Sequence, residues 1–249
     1  MTPPEFPLAA QYDPVWVYSN SMGPNVLWLV EAISRELDLQ PGMRILDMGC
    51  GTAASSIFLA REYGVSVCAA DLWVQPHDNW QRVVEAGLEA LVLPVYAEAH
   101  SLPFAHGYFD VLLSFDAYHY FGTDERYLSY FARFVKPGGT IAIAVPGNSA
   151  DPEEMPRDID SSFFAGDSAA DYFTFRSADW WQRLWSHSGA VEGVRAWMLA
   201  DGWDLWLRWS EAGAAWEGKP VEESPDAPFL LPPSGRSLGF TLVTGKRPG

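Results

Sequence analysis

The sequence predicts an α/β fold, a doubly wound and mostly parallel sheet, on three observations. A short apolar run, Met43-Arg44-Ile45-Leu46-Asp47-Met48, ends in Gly49-Cys50-Gly51 and is followed by the small-residue stretch Thr52 to Ala60, which reads as strand, glycine turn and helix. Strand-like and helix-like segments then alternate as far as Val145. Two further strands near the carboxyl end, separated by a helical insertion, bring the total to about seven.

Val26 to Leu39 places Leu27, Val30, Ala32, Ile33 and Leu37 at helical spacing, with Glu31, Arg35 and Glu36 between them, until Pro41-Gly42 stops the helix. After the glycine turn, Val65 to Ala70 reads as a strand, His77 to Ala90 as a helix, Leu91 to Tyr96 and Phe109 to Phe115 as strands. Thr123 is expected to cap a helix running to Val135, with Asp124 and Glu125 at its positive end, and Pro137-Gly138-Gly139 to break it before a strand over Thr140 to Val145. Gly147 to Phe175, rich in Asp, Glu, Pro and Ser, reads as a long excursion suited to a lid. Ser177 caps a helix whose apolar face is Trp180, Trp181, Leu184 and Trp185, and Val191 to Leu199 suits a strand. From Gly202 to Ala215 a tryptophan recurs every third residue, at 203, 206 and 209. Glu217 to Ser234 is a loop by composition, and Leu238 to Thr244 is the final strand.

Sixteen Lys plus Arg stand against 32 Asp plus Glu, and the net charge of −16 repels polyanions, so neither nucleic acid nor an anionic membrane surface is an expected partner. Met1 to Tyr12 carries no cationic, apolar leader pattern, and no stretch approaches the ~20 apolar residues of a membrane span. Cys50 and Cys68 are too few for a disulfide framework; a cytoplasmic location is the expectation.

The chemistry concentrates at Asp47-Met48-Gly49-Cys50-Gly51-Thr52. Two glycines permit a tight turn and the approach of a ligand to bare backbone, at the strand end where open α/β sheets bind ligands. A dinucleotide would fit that turn too, with Ala54 in the third small position. Asp47 argues for a cationic amino acid portion, since a carboxylate there repels pyrophosphate. Asp71, about 20 residues past the turn, suits a ribose diol in either ligand.

Ile45 to Thr52, Asp71, Ala97-Glu98-Ala99-His100-Ser101-Leu102-Pro103-Phe104 with Phe109-Asp110-Val111, and Val135-Lys136-Pro137-Gly138-Gly139-Thr140 together resemble class I S-adenosylmethionine-dependent methyltransferases, in the small-molecule branch that resembles ubiquinone-biosynthesis enzymes. The resemblance covers residues 43–146. It implies a Rossmann-like seven-stranded mixed sheet with the last strand antiparallel, an N-terminal helical cap, and a helical insertion before the last strand. It implies that Gly49 and Gly51, with Cys50 between them, contact the methionine part, that Asp71 holds the ribose and that Glu98 with Ala99 takes the adenine, flanked by Leu72 and Trp73; Phe115 joins this set. The family usually has Asp where Glu98 stands. On this reading residues 1–249 form one methyltransferase domain, with a cap segment over 1–40, a cofactor-binding core over 43–146, a variable region over 147–237 and the last strand over 238–244.

Transfer from a sulfonium needs alignment and exclusion of water, and no metal; the five histidines show no ligand spacing. The expected product is S-adenosylhomocysteine. In Ser114-Phe115-Asp116-Ala117-Tyr118-His119-Tyr120-Phe121 the expected general base is His119, with Tyr118 and Tyr120 lining the acceptor pocket or else packing, and a histidine there also suits plain packing. Tyr12, Trp16 and Met22 are expected to fold over the acceptor, or else to staple the following helix. Trp203, Trp206, Trp209 and Trp216 suit a core face or a homodimer contact as well as an aromatic cap. The rival readings are an NAD-dependent oxidoreductase and a non-catalytic S-adenosylmethionine-binding sensor or assembly protein.

Overall fold

A computed structural model describes residues 3–153, 157–158 and 172–249. Seven strands form one sheet: β1 (Arg44–Met48), β2 (Ser66–Asp71), β3 (Val92–Tyr96), β4 (Phe109–Phe115), β5 (Val135–Asn148), β6 (Glu192–Met198) and β7 (Leu238–Lys246), in the order β3-β2-β1-β4-β5-β7-β6. The first five pair in parallel; β7 runs antiparallel to both β5 and β6. The chain steps outward from β1 through β2 to β3 and then crosses to β4 on the other side of β1. The carboxyl ends of β1 and β4 therefore flank a switch point, where ligands of open α/β sheets bind.

Helices cover both faces. They are α1 (Pro14–Ser19), α2 (Val26–Ser34), α3 (Ala54–Tyr63), α4 (Pro76–Glu85), α5 (Tyr118–Phe121), α6 (Tyr127–Phe131), α7 (Ala178–Ser188), α8 (Gly202–Trp216) and α9 (Ala227–Leu230). Alternation along β5 shows how the layers form: Ile141, Ile143 and Val145 enter one buried cluster, whereas Ala142 and Ala144 enter the other. The small alanines leave room for α2, which packs against β5. On the opposite face Trp181 and Trp185, one helical turn apart on α7, are fully buried and meet Tyr118 at ring-centroid distances of 5.7 and 5.9 Å. Ser177 caps α7 by accepting from the Trp180 N–H, as its sequence position predicts.

Several boundaries differ from the sequence reading, each for a local reason. The helix expected over 26–39 ends at Ser34, because the N–H groups of Glu36 and Leu37 bond the carbonyls three residues back and tighten the last turn. Thr123 does not cap α6; Asp124 accepts from the Arg126 N–H instead, and the helix spans only Tyr127–Phe131. Pro137-Gly138-Gly139 lies within β5, where the pairing with β4 slips between Phe109 and Val111 and leaves these residues out of register. The excursion expected over 147–175 is shorter at its start, since Gly147 and Asn148 continue β5, and most of the remainder lies outside the described residues. The loop over 217–234 contains α9 and two short 3₁₀ turns.

The tryptophans of α8 find partners inside the chain. Trp206 stacks on Phe240 at 5.1 Å, Trp203 Nε1 donates to the Leu230 carbonyl, and Trp209 Nε1 donates to the Gly23 carbonyl at 3.0 Å. Trp216 is exposed. Among the described residues no helix is long and apolar enough to cross a membrane.

Truncation of Trp185 removes a fully buried ring from the α7 face, so Trp185→Ala should lower unfolding free energy by about 3–5 kcal/mol in urea denaturation. A loss below about 1 kcal/mol would show that this face tolerates collapse.

Candidate active site

The glycine turn takes the backbone through left-handed conformations at Gly49 (φ +74°), Gly51 (φ +53°) and Ala53 (φ +62°). Gly49 has no space for a side chain: a Cβ there would lie 2.4 Å from that of Ala117. The turn is bolted to β2, with Gly49 and Cys50 donating to the Ala70 carbonyl at 2.8 and 3.2 Å.

Asp71 closes this corner. One carboxylate oxygen accepts from the Gly51 N–H at 2.8 Å, and the other accepts from the Trp73 and Val74 N–H groups at 2.7 and 2.9 Å. From the other side Asn79 Nδ2 donates to the Gly51 carbonyl at 2.8 Å, Arg82 bridges Asn79 and the Asn20 side chain, and Thr52 Oγ1 donates to the Asn20 carbonyl. Helix α4 and the segment after α1 thus brace the turn, a role for Asn20, Asn79 and Arg82 that no sequence spacing announced.

Above the turn opens a crevice of about 310 Å³, within the range of small-molecule sites. Gly49, Cys50, Gly51, Asp71, Leu72, Trp73, Glu98, Ala99 and Phe115 line it, together with Met22 and Tyr120. Trp73 stands 68% exposed at the rim, with its ring 5.7 Å from that of Tyr120. The Glu98 carboxylate turns toward His100, accepting from the His100 N–H at 3.0 Å and pairing with Nδ1 at 2.7 Å, and this contact lowers the Glu98 pKa. Burial, with Asp47 and Asp71 nearby, pushes the Cys50 thiol up, so it is not a thiolate nucleophile.

Five expected site residues lie elsewhere. Asp47 is fully buried, away from the crevice, where Ser55 and Ser56 hydroxyls each donate to it at 2.6 Å. Alternation along β1 turns it to the side of Ile45, under α3. His119 is buried with neither ring nitrogen hydrogen-bonded, and desolvation lowers its pKa to about 3. It does not reach the crevice and is withdrawn as general base. Tyr118 is buried among Phe121, Tyr127, Phe131 and the α7 tryptophans. Tyr12 packs on Phe58 and donates to Glu62 at 2.8 Å, and Trp16 packs beside it, so neither lines the crevice. The single turn of α5 causes two of these misplacements: it points Tyr118 and His119 inward and Tyr120 and Phe121 toward the crevice.

The residue that sequence reasoning passed over is Asp116, just beyond β4. It lines the crevice in a left-handed conformation (φ +50°), which an Asp adopts at a cost. Its side chain has no hydrogen-bond partner among the described residues, and burial, followed by the nearby Asp226, raises its pKa well above the usual carboxylate range. Residue type next to a strand end was the one available signal.

Burial raises the Asp47 pKa from 3.8 to about 6, outweighing the hydrogen bonds from Ser55 and Ser56. The folded chain then holds a proton that the unfolded chain has released between these two values, so stability falls as pH rises across that window and stays lower above it. Asp47→Asn should remove this component of the slope, worth at most about 3 kcal/mol, and leave crevice binding unchanged. Parallel urea midpoints for the two proteins from pH 3.5 to 7 would contradict it.

Residues 46–143 match a protein family described as a methyltransferase domain. The chain is 30% identical over 118 residues to a glycine/sarcosine/dimethylglycine N-methyltransferase of Actinopolyspora halophila (47% of this chain, 21% of that protein). It is 32% identical over 117 residues to the methyltransferase GfsG of Streptomyces halstedii (47% and 42%). It thus spans less than half the length of these relatives. In fold it is similar to phosphoethanolamine N-methyltransferase 2 of Haemonchus contortus, solved with S-adenosyl-L-methionine, at a TM-score of 0.72 and 19% identity over 94% of this chain and 56% of that one. Strand order, glycine turn and sequence likeness point the same way: residues 46–143 are similar to a methyltransferase domain, set in a sheet of the fold its solved neighbour shares.

Proposed function

We propose that the chain binds S-adenosylmethionine in this crevice and passes the methyl group to a small molecule, leaving S-adenosylhomocysteine. The observation that supports this most is Asp71, whose carboxylate lines the crevice while its three backbone hydrogen bonds fix it at the rim. So held, it can still accept from the hydroxyls of a ribose. Gly49 and Gly51 offer bare backbone to the methionine portion, and Leu72, Trp73, Glu98 and Ala99 form the adenine end. With Glu98 turned to His100, the adenine amino group would be met by a pair of side chains rather than by one acid.

When bound, S-adenosylmethionine supplies a methyl carbon on a cationic sulfur. The protein's part is to align the acceptor with that carbon and to keep water out, which the apolar wall of Phe115, Tyr120 and Phe121 favours. Among the described residues no group of three or more His, Cys, Asp or Glu is arranged to hold a metal ion. The two free thiols, Cys50 and Cys68, support a reducing compartment such as the cytoplasm.

Calorimetric titration should show S-adenosylmethionine and S-adenosylhomocysteine binding and NAD⁺ not binding. Asp71→Ala should weaken S-adenosylmethionine by about tenfold to a hundredfold, and Gly49→Ala should abolish binding by driving a Cβ into Ala117. Tight NAD⁺ binding without affinity for S-adenosylmethionine would replace this reading by an oxidoreductase. Binding with no methylated product across broad metabolite extracts, followed by mass spectrometry, would favour a sensor.

A further inference from the structure

A second chamber, of about 480 Å³, lies behind the crevice between α8 and the acidic loop that follows it. The two cavities share Met22 and Gly23 as a common wall, so they meet at this waist. The missing side chain of Gly23 makes the junction: a Cβ there would lie 2.4 Å from a carboxylate oxygen of Asp116. Asp116 thus stands on the crevice side of the waist and Asp226 on the chamber side. The rings of Tyr18 and Trp209, 5.9 Å apart, belong to the chamber wall.

The charges of this chamber are lopsided. Its one cation among the described residues, Lys219, is paired with Glu217 at 2.7 Å, and Glu217 also accepts from the Tyr18 hydroxyl. Glu223 feels Lys219 only at longer range, and Asp226 has no cationic partner there: it is met only by the Trp206 indole N–H and the Ser210 hydroxyl, at 3.0 and 2.9 Å. With the unpartnered Asp116 across the waist, two half-buried carboxylates face one gap without a counterion.

We propose that this chamber is the acceptor subsite and that the acceptor is an amine with an apolar body, its nitrogen held at the waist by Asp116 and Asp226 and its body against Tyr18 and Trp209. The inference rests on the methyltransferase reading of the adjoining crevice. A cation at the waist relieves the repulsion between the two acids, and the aromatic faces add cation–π attraction. A protonated amine has no free electron pair, so it first gives a proton to the Asp116 carboxylate, whose affinity for protons is raised by burial and by Asp226. The nitrogen pair then forms the N–C bond to the methyl carbon, the S–C bond breaks with its electrons left on sulfur, and the positive charge passes from sulfur to nitrogen.

The test compares phenethylamine with 2-phenylethanol, which differ only in amine against hydroxyl, as ligands of the protein saturated with S-adenosylhomocysteine. Phenethylamine should bind at least about tenfold more tightly, and Asp226→Asn should remove that preference while leaving the S-adenosylmethionine dissociation constant within about twofold. Asn keeps an acceptor for Trp206 and Ser210, and an unchanged melting temperature would confirm that the loop is intact. Asp116→Asn should lower kcat for amine methylation and shift its pH profile, again without weakening the methyl donor. Equal binding of amine and alcohol, or binding of neither, overturns the proposal. Weaker S-adenosylmethionine binding in Asp116→Asn overturns it too, by assigning that carboxylate to the donor's own ammonium group. Absence of S-adenosylmethionine binding in the unmutated protein is a separate result: it removes the reading beneath.

Discussion

The hydrogen bonds from three backbone N–H groups to the Asp71 carboxylate are the interaction on which the site depends. They join the glycine turn after β1 to the start of the segment after β2, so the floor and rim of the crevice become one rigid corner. Charge-assisted bonds of this kind are among the stronger hydrogen bonds available to a protein, and here they act on residues that have few side-chain contacts of their own. Without that corner Gly51 would be held only through its carbonyl by Asn79, and Trp73, already at the rim, would be oriented only by the Tyr120 ring.

The rest of the molecule can be read as support for this corner. Parallel strands place their carboxyl ends on one edge; α4 reaches back through Asn79 and Arg82; the amino-terminal segment is drawn in through Asn20 and Thr52; and α8 secures the Gly23 carbonyl with the Trp209 indole. The two clusters on either face of the sheet supply stability, while the polar braces supply position. Tryptophan serves both ends of that division: Trp181 and Trp185 are packing, and Trp209 is a strut.

Legibility from sequence follows the same division. The mostly parallel sheet of seven strands and the glycine turn were readable because a left-handed turn at a strand end demands glycine and because strand–helix alternation leaves few topologies. Asp47 was misplaced although its position was deducible: a residue two along from Ile45 on a strand shares Ile45's face, which lies under α3. Tyr118 and His119 could be left only between pocket and packing, because a four-residue helix has no periodicity to reveal its inward side, and both pack. Tyr12 and Trp16 were left between acceptor cover and a helix staple; Tyr12 packs against Phe58 of α3 with Trp16 beside it, an outcome that depends on how the amino-terminal segment folds back and on nothing local. For Asp116 the sequence offered only its type beside a strand end, and the waist at Gly23 offered nothing, since it arises where three separated segments converge.

The placement of β7 between β5 and β6 has a consequence for how the chain is made. During synthesis β5 and β6 emerge before the strand that separates them, so each carries an open hydrogen-bonding edge until β7 arrives. The edge of β5 belongs to an apolar stretch, Ile141 to Val145, and an unpaired apolar edge invites pairing with another chain. The nascent protein therefore passes through a stage in which an apolar strand of its later core presents an adhesive edge, and β7 acts as the closing piece that covers it.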